Sequence, residues 1–154
     1  MHICENHSSC IEDAMKKADM LCSDKGVRFT PLRKEVLEII WSSHSPAKAY
    51  DILDKLKGHE QTAKPPTVYR TLDFLLENGL IHKLNTMNAY VGCSHPLKHN
   101  QCYFLICQNC NDVVECCNRN LSDAIDDTTN KNKFSANSVT IEVAGQCEEC
   151  SKKH

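Results

Sequence analysis

Apolar residues recur at helical spacing through the first half of the chain and at strand spacing through the second. Ala14 to Asp24 reads as a helix stopped by Gly26. Thr30-Pro31 opens another, with Thr as N-cap, Pro in the first turn, and Val36, Leu37, Ile39 and Ile40 on the apolar face. A third starts at Ser45-Pro46, carries Ala49, Ile52, Leu53 and Leu56 at i, i+3, i+4 and i+7, and ends near Gly58. A fourth follows Pro65-Pro66, turning Val68, Leu72, Leu75 and Leu76 inward and Tyr69, Arg70, Asp73 and Glu77 elsewhere, until Gly79. Leu80–Leu84 and Ala89–Cys93 are strand-like runs across a turn-rich tetrad. Helices followed by a small hairpin make the winged form of helix-turn-helix.

Beyond this hairpin the pattern changes. Tyr103–Cys107, Asp112–Cys116 and Ser138–Val143 read as strands, with Val139, Ile141 and Val143 alternating. Leu121, Ala124 and Ile125 mark a helix between them, and His95–Asn100 is a polar linker. The expected fold class is therefore α+β: an N-terminal winged helix-turn-helix domain (1–92), a hinge (93–100) and a C-terminal α/β domain (101–154).

The chain has 154 residues, a formal charge of -2 and 41% hydrophobic residues, enough for a core and against wholesale disorder. Its short apolar runs fit no membrane span, and Met1 to Lys17 lacks the apolar stretch of a signal peptide, so a cytoplasmic protein is expected. Residues 1–86 carry twelve basic and twelve acidic side chains, and residues 87–154 carry six and eight. Nucleic-acid binding would thus depend on the local placement of Arg28, Arg33, Lys34, Lys64 and Arg70, not on bulk charge.

Eleven cysteines change the picture most. In a reducing compartment such a set points to metal or catalysis before disulfides. Cys107 and Cys110 form one C-x-x-C, and Cys147 and Cys150 form another forty residues on. Two intervening residues let one knuckle present two thiolates to a tetrahedral ion, and four thiolates leave no open position, which makes a structural zinc site. His82, Cys93, His99 and Glu115 supply a second set of ligand types suited to zinc; each alone has a plain reading as a surface histidine, a buried thiol or a solvated carboxylate. In Lys64-Pro-Pro-Thr-Val-Tyr-Arg-Thr-Leu-Asp73, a helix N-terminus could enter a major groove, with Arg70 bridging a guanine edge and Tyr69 reaching a thymine methyl or a phosphate. By itself that pattern also suits an ordinary amphipathic helix.

Arg28-Phe-Thr-Pro-Leu-Arg33, Lys34-Glu-Val-Leu37, Ala49-Tyr-Asp-Ile-Leu53, the run from Lys64 to Glu77 and the paired C-x-x-C together resemble the ferric uptake regulator family, in particular its zinc-sensing branch. The resemblance spans about residues 14 to 150 and implies a bacterial homodimeric repressor whose winged helix binds an AT-rich inverted repeat in double-stranded DNA and whose C-terminal domain dimerises. It implies two zinc ions per chain: a structural one on Cys107, Cys110, Cys147 and Cys150, and a sensory one on His82, Cys93, His99 and Glu115. His95 competes with His99, because the linker length departs by about one residue from the family pattern. DNA contacts are expected from Lys64, Thr67, Tyr69, Arg70 and Arg28.

No membrane partner and no small-molecule substrate are expected. The isolated His95 and His99 replace the His-His-x-His cluster of the iron-sensing branch, which disfavours an iron regulator, and Cys93 poorly fits a peroxide sensor's histidine–carboxylate Fe(II) site. A zinc hydrolase or deaminase lacks its signatures: no His-x-Glu or H-E-x-x-H occurs, and Ile106, not Pro, precedes Cys107. No enzyme is expected.

Overall fold

The computed structural model describes residues 7–43, 45–57, 64–96 and 102–153. They form two units, one ending at Pro96 and one within the residues that follow. Gly58, His99 and most of the expected linker lie outside the described residues.

The first unit contains α1 (His7–Lys25), α2 (Pro31–Ser42), α3 (Ala49–Leu56), α4 (Pro65–Glu77), and the wing strands β1 (Ile81–Leu84) and β2 (Ala89–Gly92). Helix α1 begins seven residues before the expected Ala14. Thr30 caps α2, its Oγ1 accepting from the Arg33 N–H at 3.4 Å. Gly26 and Gly79 adopt φ of 66° and 70°, the left-handed conformation that lets the chain leave α1 and α4 while their last carbonyls stay bonded.

Ser45-Pro46 does not start α3. Ala47 and Tyr90 instead exchange both backbone hydrogen bonds at 2.8 Å, so residue 47 stays extended beside the wing and the helix begins at Ala49.

The core of this unit is Val36, Leu37 and Ile40 from α2, Ile52 and Leu56 from α3, and Val68, Leu72 and Leu75 from α4, sealed by Ala18 and Cys22 of α1. Leu76 is only partly buried; Thr71 takes a buried place on α4, its hydroxyl donating to the Thr67 carbonyl at 2.9 Å. The Arg33 guanidinium stacks 3.6 Å over the Phe74 ring and donates to the Arg28 carbonyl, tying the loop before α2 to α4.

The second unit contains β3 (Cys102–Cys107), β4 (Val113–Cys117), α5 (Arg119–Lys131), β5 (Glu142–Gly145) and α6 (Glu148–Lys152). Its sheet has the order β4-β3-β5, antiparallel then parallel. The last strand lies later than the Ser138–Val143 alternation suggested. Pairing with β3 runs from Phe104↔Glu142 to Cys107↔Gly145, and Ile141 only accepts the Phe104 N–H at the entry. Asn118 caps α5 by accepting from Asn120 and Leu121.

Candidate metal centres and nucleic-acid face

The first knuckle is the β3–β4 turn. Cys107 ends β3, its N–H bonding to the Asp112 carbonyl at 2.9 Å, and Asn111 turns back with φ 60° to bond the Cys107 carbonyl at 2.9 Å. The second knuckle follows β5: Cys147 is the N-cap of α6 and Cys150 lies three residues on, on the same side of that helical turn. Because β5 runs parallel to β3, with Gln108 N–H bonding the Gly145 carbonyl at 2.9 Å, both knuckles emerge at one end of the sheet.

The four sulfurs of Cys107, Cys110, Cys147 and Cys150 all lie within 4.8 Å of one another, and Cys110 and Cys147 are 3.8 Å apart. A tetrahedron with zinc–sulfur bonds of about 2.3 Å has sulfur–sulfur edges of about 3.8 Å, so the cage has the size of a zinc ion. The Cys147 N–H donates to Cys107 Sγ at 3.4 Å. That N–H, with those of Cys110 and Asn109, holds the Cys107 thiol down to about 6. Cys150 is pushed the other way, to about 12, first by the Cys147 thiol, then by burial and the remaining sulfurs. Four thiols gathered this closely cannot all ionise alone; a divalent cation is the group that allows it.

Within the wing, His82 stands on β1 opposite Val91, and Cys93 follows β2 with its N–H on the Leu80 carbonyl at 2.9 Å. Alternation puts both on one face, and their ligand atoms lie within 4.8 Å; His82 is 8% exposed and Cys93 3%. His95 is exposed. In the second unit, Glu115 on β4 faces Phe104 on β3, and Cys102 faces Cys117, again on one face of the ladder. Ligand atoms of Cys102 and Glu115 lie within 4.8 Å. Sequence reasoning left Cys102 without a role; the only signal for it was its parity with Glu115 in two strands whose register was not known.

On α4, Lys64, Thr67, Tyr69 and Arg70 are all exposed along the N-terminal half, with Tyr69 51% exposed, while Val68 and Leu72 anchor the other side. Arg28 is exposed ahead of α2. Arg33 and Lys34 are engaged within the unit, Arg33 over Phe74 and Lys34 with Asp19 at 3.0 Å. Among the remaining cysteines, Cys22 is a buried α1 residue whose thiol burial pushes up, and Cys10, also on α1, is disulfide-bonded. Cys116 and Cys117 are half-buried in β4.

The sequence model of the ferric uptake regulator family matches residues 24–144, which takes in α2 to α5, the wing and the first knuckle. The chain belongs to the ferric uptake regulator family. Within it, the chain is 39% identical over 142 residues to the zinc uptake regulation protein of Escherichia coli (strain K12), covering 90% of this chain and 82% of that protein. It is 30% identical over 144 residues to the peroxide operon regulator of Bacillus subtilis (strain 168), covering 90% and 94%. A solved structure of a zinc uptake regulator complexed with zinc and DNA superposes with a TM-score of 0.85 at 36% identity, covering 93% of this chain and 96% of that one. No helix among the described residues is long and apolar enough to cross a membrane.

Proposed function

We infer that this member of the ferric uptake regulator family is a zinc-responsive transcriptional repressor that binds operator DNA as a homodimer when zinc-loaded. The observation that carries this reading is the cysteine cage of zinc dimensions on a chain 39% identical to a zinc uptake regulation protein. Likeness to a zinc uptake regulator solved with zinc and DNA supports the same partners here. The controlled genes are those of zinc uptake, through AT-rich inverted-repeat operators.

Cys107, Cys110, Cys147 and Cys150 hold the structural ion. A closed four-thiolate site offers no position for substrate, so its contribution is to folding and not to catalysis. The unit around it needs that support. Among the described residues there, only Phe104, Ile106 and Cys107 are buried, α5 buries no residue, and Leu105 (41% exposed), Val143 (49%) and Phe134 (65%) stay open. Leu105 and Val143 are register partners on the face opposite Phe104, an apolar surface suited to a second copy of the chain.

His82, Cys93, His99 and Glu115 are the regulatory ligands in this reading, divided between the wing and the chain beyond it. A zinc ion bound there supplies a cross-link. Held to it, the wing ligands restrict how the recognition helices are spaced, and a dimer meets two half-sites only at a matching spacing. The ion thus helps DNA binding as far as it favours that geometry. Lys64, Thr67, Tyr69, Arg70 and Arg28 are the residues proposed to touch DNA, Arg70 at a base edge and Lys64 at phosphate. The domain roles follow: DNA binding in 1–92, hinge in 93–100, dimerisation in 101–154.

Metal analysis of protein purified from cells, paired with operator binding by fluorescence anisotropy with and without added zinc, tests this. Two zinc ions per chain and zinc-dependent binding are expected. Binding that is equal in chelator, or restored only by iron or manganese, would overturn it.

A further inference from the structure

We propose that Cys102 and Cys117 form a reversible redox site, a dithiol that oxidised glutathione converts to a cross-strand disulfide while the four-cysteine cage keeps its zinc. The inference goes beyond the zinc-sensing reading and does not depend on which residues hold the regulatory ion.

The two cysteines are direct register partners on β3 and β4. Opposed residues of an antiparallel ladder have Cα atoms about 4.5 or 5.5 Å apart, and a disulfide spans Cα separations of about 4.4–6.8 Å, so the backbone need not move. The side chains meet: the two Sγ atoms are 2.8 Å apart, and small χ1 rotations bring them to the bonded distance of about 2.05 Å. Both thiols are half-buried, which leaves an edge open to a small reagent. They share the face of Phe104, opposite that of Leu105 and Val143, so a second copy seated on that apolar surface does not cover them.

Two sets of nearby thiols are poor rivals. Cys116 faces Tyr103 on the other side of the ladder, where its thiol pushes the Tyr103 phenol above the usual range. Cys107 stands at the far end of β3, roughly 16 Å from Cys102 at about 3.3 Å per residue, and zinc in the cage engages its sulfur.

Oxidation proceeds by exchange. One thiolate of the pair attacks a sulfur of oxidised glutathione; a protein–glutathione S–S bond forms, the reagent's S–S bond breaks, and one glutathione thiolate leaves. The second thiolate attacks the protein sulfur of that mixed disulfide, forming the Cys102–Cys117 bond and releasing the second glutathione thiolate. The protein loses two electrons and two protons, which the two reduced glutathiones carry. With the partner sulfur already in contact, the second step is intramolecular and keeps the mixed disulfide from accumulating. Excess reduced glutathione runs both steps backwards.

The full-length, zinc-loaded dimer is incubated with oxidised glutathione, alkylated with N-ethylmaleimide in denaturant, cut by Asp-N protease between Asn111 and Asp112, and read by mass spectrometry, with zinc retention measured before denaturation. The parent should yield a disulfide joining the peptides on either side of that cut, with unchanged zinc, reversed by reduced glutathione. Cys116→Ser should form it at the parental rate. Cys102→Ser and Cys117→Ser should lose it and keep glutathione on the remaining cysteine. Operator binding plays no part in these readouts, so their outcome is separate from that of the zinc-sensing reading. Cys102 and Cys117 still alkylated after incubation of the parent, a linkage that survives Cys117→Ser, or cross-linking that appears only as the cage releases zinc would overturn the proposal. The parent protein carries the decisive measurement even if a serine variant folds poorly.

Discussion

Gly92→Ala tests the packing of the wing with a single methyl group. Gly92 ends β2 opposite Ile81, against the indole of Trp41 from α2. A Cβ at residue 92 would stand 2.8 Å from Cζ2 of that ring, with Cε2 and Nε1 nearer still. Carbon atoms rest comfortably at about 3.5–4.0 Å, so ring or strand must retreat by about 1 Å. A planar indole packed against the core of the first unit has no flexible end to yield. Overpacking of this kind costs about 1–3 kcal/mol. At about 2 kcal/mol, and about 4–8 °C per kcal/mol for a unit of this size, Tm should fall by about 8–16 °C. Trp41 is the only tryptophan in the sequence, so its emission should also shift to the red as the ring moves toward water. Thermal unfolding followed by circular dichroism, with zinc present throughout, measures the loss. Trp41→Leu in the Gly92→Ala background should recover part of it by removing the obstructing ring. A Gly92→Ala protein with parental Tm and emission would refute the packing argument.

Cys147→Ser should remove a ligand that contributes to folding and give aggregated or monomeric protein, read by light scattering and zinc content; a stable dimer with unchanged zinc would contradict the structural assignment. Arg70→Ala should weaken specific operator binding by about 1–3 kcal/mol and relax discrimination at one base position, whereas Lys64→Ala should weaken all sequences evenly and flatten the salt dependence. Equal losses on operator and random DNA for Arg70→Ala would assign it to phosphate. Cys93→Ser and Glu115→Ala should each leave a folded dimer that has lost one zinc ion per chain and, with it, about 1–3 kcal/mol of zinc-dependent operator affinity. Parental zinc dependence in Cys93→Ser would move the sensor elsewhere.

Local signals in the sequence were enough for the helices, the wing and the presence of a four-cysteine cage. Thr30-Pro31, Gly26 and Gly79 act through φ, ψ and hydrogen bonds within a few residues, so their effects are readable one segment at a time. A C-x-x-C likewise carries its own geometry. What local pattern could not supply was pairing between distant segments. Ser45-Pro46 has the composition of a helix start, yet the Tyr90 backbone, over forty positions on, holds Ala47 extended and delays α3. The alternation of Val139, Ile141 and Val143 promises a strand, but hydrogen-bonding to β3 selects residues 142–145 instead. Only the parallel placement of β5 beside β3 brings the two knuckles to one end of the sheet and their sulfurs to zinc distance. Register also decides which side chains share a face: a slip of one residue would separate Cys102 from Glu115. The ligand types are a property of the sequence; which of them meet is set by strand pairing, a long-range interaction that no local window contains.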